Sequence, residues 1–185
     1  MTTNIIWKSG HYHSQEHCVL SQAADGNTIT ATINGHFEKK IYEVSYTIRT
    51  NEAWEVISVV ITSSVNAHIT RWQLKREREQ WLQNGEVLEN AAAAIDIDIS
   101  LTPFTNTLPI RRLQLQPGQQ QVIQVIYFDI LQEEVKTVKQ IYTCLSAASY
   151  RYEDFDKNFQ ALLRTNGEGL VEDYPGLFEI VGMVE

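Results

Sequence analysis

Thr28-Ile29-Thr30-Ala31-Thr32-Ile33-Asn34 puts Ile29, Ala31 and Ile33 on one face and threonines on the other, between the turn dipeptides Asp25-Gly26 and Asn34-Gly35. Alternation with a period of two, closed at both ends by turn residues, specifies a half-buried strand flanked by hairpins. Working outward, Ile41 to Thr50 repeats the pattern through Tyr42, Val44, Tyr46 and Ile48, and Thr50-Asn51-Glu52 offers a turn before Trp54. From Trp54 to Ile61 the apolar phase moves from Trp54 and Val56 to Ile57, Val59 and Ile61. Such a shift requires a β-bulge or a strand bent between two faces. His68 to Leu74 alternates again, and Ile95 to Ile99 does so strictly.

Val122 to Phe128 is apolar at both parities apart from Gln124, as expected of a strand covered on both sides. Val135 to Leu145 and Asn158 to Thr165 are further strand candidates. Lys75 to Gln83 is ambiguous, because its charges at helical spacing favour a short solvated helix on local propensity. With turns recurring every 8 to 15 residues, the chain reads as mainly β. The expected architecture is a single antiparallel sheet curled into a spiral roll or half-barrel around an apolar cavity, with few short helices. No repeat or linker divides the 185 residues, so residues 1–185 are expected to form one domain.

Charge and composition narrow the function. Fifteen Lys plus Arg against 23 Asp plus Glu give a formal net charge of −8, which repels polyanions and argues against a nucleic-acid partner. No stretch approaches the 18 or so apolar residues of a membrane-spanning helix, and Met1 to Gly10 holds no apolar run of signal-peptide length, so a cytoplasmic protein is expected. Cys18 and Cys144 lack metal or redox spacing and are expected as reduced thiols. An assembly of several copies of the chain stays open.

The segment from Leu101 to Leu113 carries Pro103 and Pro109 among Thr102, Thr105, Asn106 and Thr107. Two prolines remove backbone donors, so an irregular segment held by its own side chains is expected. It follows a strand bearing Asp96 and Asp98 and ends in Arg111 and Arg112, which suggests carboxylate–guanidinium clamps. Asp96, Asp98, Thr102, Asn106, Arg111 and Arg112 are therefore assigned a structural role.

Thr-Pro-Phe-Thr-Asn-Thr-Leu-Pro-Ile-Arg-Arg-Leu, residues 102–113, closely resembles the central signature of the bacterial "putative glycolipid-binding" family, formerly a domain of unknown function. Trp7, Glu16-His17, Tyr46, Trp54, the Asp96/Asp98 strand, Tyr150-Arg151-Tyr152 and Asp173-Tyr174-Pro175-Gly176-Leu177-Phe178 carry the resemblance along the chain. It implies a β roll shaped like the half-barrel lipoprotein carriers of the bacterial envelope, with a hydrophobic cavity for a lipid or glycolipid. The sequence departs from the pattern at Ala91 to Ala94 and at Arg78-Glu79-Gln80-Trp81. By resemblance, the latter favours strand and turn over helix.

No catalytic constellation emerges. Asp96 and Asp98 lie two apart on a strand, roughly 7 Å between Cβ atoms, a spacing open to acid–base chemistry. With Arg111 they define the alternative reading, a hydrolase acting on a lipid-like substrate; their plainer reading is a solvent face or a clamp. His11, His13, His17 and Cys18 are metal-ligand types, yet they sit in a polar segment with no second cluster, so solvated histidines and no metal or cofactor are expected. Aromatic rings with polar handles suit a tail beside a headgroup, which nominates Trp7, Tyr46, Trp54, Trp72, Tyr127 and Tyr152 as ligand-binding, although each also fits an ordinary core. The sequence thus points to non-catalytic sequestration of a lipid-like or glycolipid-like amphiphile, with a protein-interaction module as a further alternative.

Overall fold

The computed structural model describes residues 1–185. Eight strands meander from the start: β1 (Thr2–Ser9), β2 (Ser14–Ala23), β3 (Gly26–Phe37), β4 (Lys40–Thr50), β5 (Val56–Val65), β6 (His68–Glu77), β7 (Gln80–Gln83) and β8 (Glu86–Val87). Then come β9 (Asp96–Ile99), a 3-10 turn at Phe104–Asn106 and the only α-helix, α1 (Thr107–Leu113). A second meander follows through β10 (Gln120–Asp129), β11 (Glu134–Ser146), β12 (Ser149–Asp154), β13 (Gln160–Thr165), β14 (Val171–Tyr174) and β15 (Phe178–Val184).

All 15 strands belong to one sheet, in the order β8-β7-β6-β5-β4-β3-β2-β1-β15-β14-β13-β12-β11-β10-β9. The two meanders are joined where β1 pairs antiparallel with β15. Only β9 and β10 run parallel. A parallel pair needs a long crossover, usually helical, and residues 100–119 with α1 supply it. The sheet is not closed into a barrel, since β8 and β9 stand at its two ends. It nevertheless bends back on itself. Trp72 of β6 meets Phe128 of β10 edge-on with ring centroids 6.0 Å apart, and Thr70 donates to Glu133 at 2.8 Å. Lys40 Nζ also donates to the Leu131 carbonyl.

The alternating residues face inward as expected. Ile29, Ala31, Ile33, Tyr42, Val44, Tyr46 and Ile48 are all buried in the larger of two apolar clusters. The phase shift after Trp54 is a bulge: Arg49 pairs with Ser58 and Thr50 with Val56, which leaves Ile57 as the extra residue, 41% exposed. Trp54 itself lies in the preceding turn with φ +63°. No helix is long and apolar enough to cross a membrane. Both cysteines are buried and free.

Two local readings change, and an ambiguous one is decided. Asn34-Gly35 is not a turn, because β3 continues to Phe37; a Cβ at Gly35 would come within 2.6 Å of the Tyr42 hydroxyl, so the glycine serves close packing. Lys75 to Gln83 is a hairpin, the strand and turn that the resemblance favoured, and not the helix of local propensity. Arg78 and Glu79 have φ of +49° and +66°, the left-handed pair that a tight two-residue hairpin demands. Finally, the two-proline segment is helical. Pro109 falls in the first turn of α1, where a missing N–H costs least.

This crossover fills the bend. Leu101, Phe104 and Leu108 join the larger cluster, whereas Ile110 joins a smaller one with Tyr142, Leu163, Val171, Tyr174 and Phe178. Each fully buried side chain of this kind contributes roughly 1.5–3 kcal/mol, so the crossover ties both meanders together.

Candidate functional site

β9 carries its two aspartates into different surroundings. Asp96 is fully buried, and Arg112 on α1 grips it with Nη2 2.6 Å from Oδ2 and Nε 3.1 Å from Oδ1. Burial pushes the Asp96 carboxyl up, and the Arg112 bonds and charge pull it back down. Arg111 takes no part: its guanidinium stacks 4.4 Å from the Trp54 ring centre and pairs with Glu168 at 2.9 Å. Asp98 meets no cation. Its Oδ1 accepts from Thr105 Oγ1 at 2.9 Å and its Oδ2 from Gln140 Nε2 at 2.6 Å. Burial is the largest influence on this carboxyl and raises it, against the pull of those two bonds.

The signature residues around Asp98 hold one another. Tyr142 donates to Asn106 Oδ1 at 2.8 Å, and Asn106 Nδ2 reaches the Pro103 carbonyl at 3.4 Å. Thr102 accepts from the Phe104 amide at 3.0 Å and donates to Glu16 at 2.9 Å. Glu16 is buried on β2, and Tyr46 donates to the same carboxylate oxygen at 2.5 Å. Its other oxygen has no partner. Burial without a cation raises the Glu16 carboxyl from 4.5 to about 7 despite the two hydroxyl donors.

Beside Asp98 opens a pocket of about 760 Å³. Asp98, Ser100, Thr102, Asn106 and Gln140 are polar residues of its lining, and Lys136, Lys139, Asp154 and Asp156 add charges of both signs. Tyr12, from the β1–β2 turn, Tyr127 of β10, Tyr152 of β12, Tyr174 of β14 and Phe178 of β15 contribute aromatic walls. The rings pack against each other: Tyr152 lies 6.5 Å from Tyr174, Tyr174 lies 6.1 Å from Phe178, and Phe178 lies 5.8 Å from Tyr12. Phe155 and Phe159, in the β12–β13 turn, are 48% and 42% exposed. Lys139 lies over Phe155 and Lys136 over Tyr127. Burial first, and then the Asp98 charge, push the Tyr127, Tyr152 and Tyr174 hydroxyls up.

Of the aromatics nominated from sequence, Tyr127 and Tyr152 line this pocket. Trp7, Tyr46 and Trp72 are buried in the larger apolar cluster, and Trp54 lies beneath Arg111. Neither Asp96 nor Arg111 lines the pocket, and the aspartates do not form one solvent face: Asp96 is covered by Arg112 of α1, whereas Asp98 is half-buried and borders the pocket. The histidines are dispersed: His13 stacks on His36, His11 packs on Tyr12 and Phe37, and His17 lies by Asn4. Tyr12, Phe155, Phe159 and the pocket role of Tyr174 and Phe178 escaped sequence reading. The closing Tyr174-Pro175-Gly176-Leu177-Phe178 run was the available signal.

Fold and pocket define a mainly β protein with one large, open, mostly antiparallel sheet and an aromatic-walled cleft beside the helical crossover. The chain belongs to the "Putative glycolipid-binding" family, whose model matches residues 4–179. It is similar to a DUF1089 family protein from Pseudomonas aeruginosa of known crystal structure, with 32% identity and a TM-score of 0.80, over 89% of this chain and 91% of that one. No curated protein matches the chain.

Proposed function

We propose that the protein binds a lipid-like or glycolipid-like amphiphile non-covalently in the pocket beside Asp98. The observation carrying this reading is the wall of packed rings around about 760 Å³ of open space, the size and chemistry of a small-molecule site. Membership of a family described as glycolipid-binding supports it. Tyrosines suit the task because each ring offers apolar area while its hydroxyl stays available for a polar group. Binding requires no bond making. Each methylene of a tail that leaves water against the rings stabilises the complex by roughly 0.8 kcal/mol.

The test is calorimetric titration with alkyl glycosides of increasing chain length below their micelle concentrations. Affinity is expected to rise by roughly tenfold with every pair of methylenes until the tail outgrows the pocket. Affinity independent of chain length would refute the reading. Tyr127→Ala and Tyr152→Ala should each weaken binding, whereas the tryptophans, which lie outside the pocket, should report little through their fluorescence.

A further inference from the structure

We infer that the pocket takes an organic cation, an alkylated ammonium group seated by the Asp98 carboxylate among the rings of Tyr12, Tyr127, Tyr152 and Tyr174, carried by an amphiphile's head or by a free small molecule. The inference deepens the proposed binding, rests on it for the site, and names the group that meets Asp98. This carboxylate is half-buried, neighbours Tyr127 in the β9–β10 register and borders the open space. Its oxygens accept from Thr105 and Gln140, both uncharged, and no Lys, Arg or His of the protein pairs with it. A charge withdrawn from water is normally paired, and a carboxyl raised by burial gains from an opposite charge at short range. The partner that the chain omits is a cation.

The rings point to the same ligand. Burial raises the hydroxyls of all four tyrosines, and the Asp98 charge raises each of them further, so the four converge on this carboxylate. Tyr152, Tyr174, Phe178 and Tyr12 form an unbroken run of rings, their successive centroids 6.5, 6.1 and 5.8 Å apart. Aromatic rings attract a cation, most strongly where water is excluded, and cages of rings are a recurring device for alkylated ammonium groups. Lys136 already lies 5.7 Å from the Tyr127 ring centre, a cation set on one of these rings by the chain itself. At the mouth, exposed Lys136, Lys139 and Asp156 and half-buried Asp154 cancel in formal charge, so Asp98 gives the pocket its net sign. The remaining polar groups are engaged within the protein: Thr102 with Glu16 and the Phe104 amide, Asn106 and Gln140 with Tyr142, and Ser100 with the Ile130 amide. A primary ammonium brings three donors that such a lining leaves unanswered, whereas an alkylated one asks only for negative charge and apolar rings.

Choline and 3,3-dimethyl-1-butanol share a shape and differ in a quaternary nitrogen against a quaternary carbon. Titrated at fixed ionic strength and followed through the amide NMR shifts of Ile99 and Tyr127, choline is expected to bind at least about tenfold more tightly than the neutral alcohol. Asp98→Asn should remove that preference. Tyr127→Phe and Tyr152→Phe keep the rings and should keep choline binding, whereas Tyr127→Leu and Tyr152→Leu should weaken it severalfold. Choline no tighter than the alcohol, a preference that survives Asp98→Asn, or Leu variants that bind as the Phe variants do would each overturn the cation site. The two ligands on the parent protein and the ring variants decide the matter even where Asp98→Asn fails to fold. Octyltrimethylammonium below its micelle concentration separates the two sources: binding tighter than choline marks an amphiphile's head, and equal binding marks a free cation, which would refute the amphiphile reading and leave the cation site in place. Alkyl glycosides that gain affinity with chain length while choline fails to bind would leave amphiphile binding standing and remove the cation site.

Discussion

The two meanders use the same strand chemistry to opposite ends. In the first, β2 to β6 alternate cleanly, their inward residues interlock with the crossover, and the one buried acid, Glu16, is sealed under Tyr46 and Thr102. In the second, β10 to β15 give fewer residues to the buried clusters, and their acid, Asp98 on the adjoining β9, borders open space. The difference lies in what covers the concave side. Leu101, Phe104 and Leu108 plug the first half, whereas the second half is walled by rings around open space. A filled half and an open half in one continuous sheet let stability and binding be tested separately.

The largest expected effect is at the clamp that holds the crossover between the halves. Asp96→Ala would leave Arg112 partly buried and unpaired, and Arg112→Ala would leave a fully buried carboxylate alone. Removing one partner of such a pair typically costs about 3–5 kcal/mol. Thermal melts should fall by many degrees for either variant, and the double variant should cost less than the sum of the two. Unchanged melting temperatures would mean that the crossover is held by its apolar contacts alone.

Glu16 gives the next largest effect and belongs to the filled half. Its carboxyl rises from 4.5 to about 7 on folding, so the folded chain holds a proton that the unfolded chain has released between those values. The neutral acid's stabilisation is therefore complete below about pH 4.5 and is lost as pH climbs through about 7. At about 1.4 kcal/mol per pH unit the loss is roughly 3 kcal/mol. Asp96 and Asp98, also raised by burial, add a slope of the same sign. Denaturant titrations between pH 5 and 8 should show stability falling with rising pH, and Glu16→Gln should flatten the slope. A slope unaltered in that variant would place the proton elsewhere.

The filled half was the more legible of the two in the sequence, for a physical reason. Alternation reports faces, and where a face is packed the pattern is strict, as at Ile29, Ala31 and Ile33 or Tyr42 to Ile48; even the bulge at Ile57 showed as a phase shift. The open half depends on positions that alternation does not specify. Phe155 and Phe159 lie in a turn, and Tyr12 lies between strands, where no period marks a face. Tryptophans drew attention by size, yet the most efficient use of a large rigid ring is core filling, and Trp7, Trp72 and Trp81 are buried. Propensity misread Arg78-Glu79 because hairpin geometry overrode it, and it missed α1 because prolines count against helices except in the first turn.

Neighbouring arginines sharpen the comparison at smaller scale. Arg111 pairs with Glu168, which is largely exposed, and stacks on Trp54, contacts worth about 1 kcal/mol together. Arg111→Ala should lower the melting temperature by a few degrees, clearly less than Arg112→Ala. Equal losses would show that position on α1, rather than the buried partner, sets the cost.

The smallest effect on stability is expected at the rim, where it separates the two halves most cleanly. Phe155 and Phe159 are each more than 40% exposed, so replacing them forfeits little buried area, and solvent-facing substitutions usually change stability by less than about 0.5 kcal/mol. Phe159 does touch Tyr152 and Tyr174, at 6.1 Å and 6.4 Å between ring centres, so the double variant Phe155→Ser with Phe159→Ser can cost slightly more. Binding should respond in the opposite proportion. A tail lying against the rim would lose the apolar surface of two rings, while a headgroup held elsewhere in the pocket would keep its contacts. The variant should therefore bind methyl glucoside as the parent does and octyl glucoside severalfold more weakly, with a melting temperature within a few degrees of the parent. If octyl and methyl glucosides lose affinity alike, the rim shapes the pocket instead of meeting the tail; if neither changes, the tail runs elsewhere in the cleft.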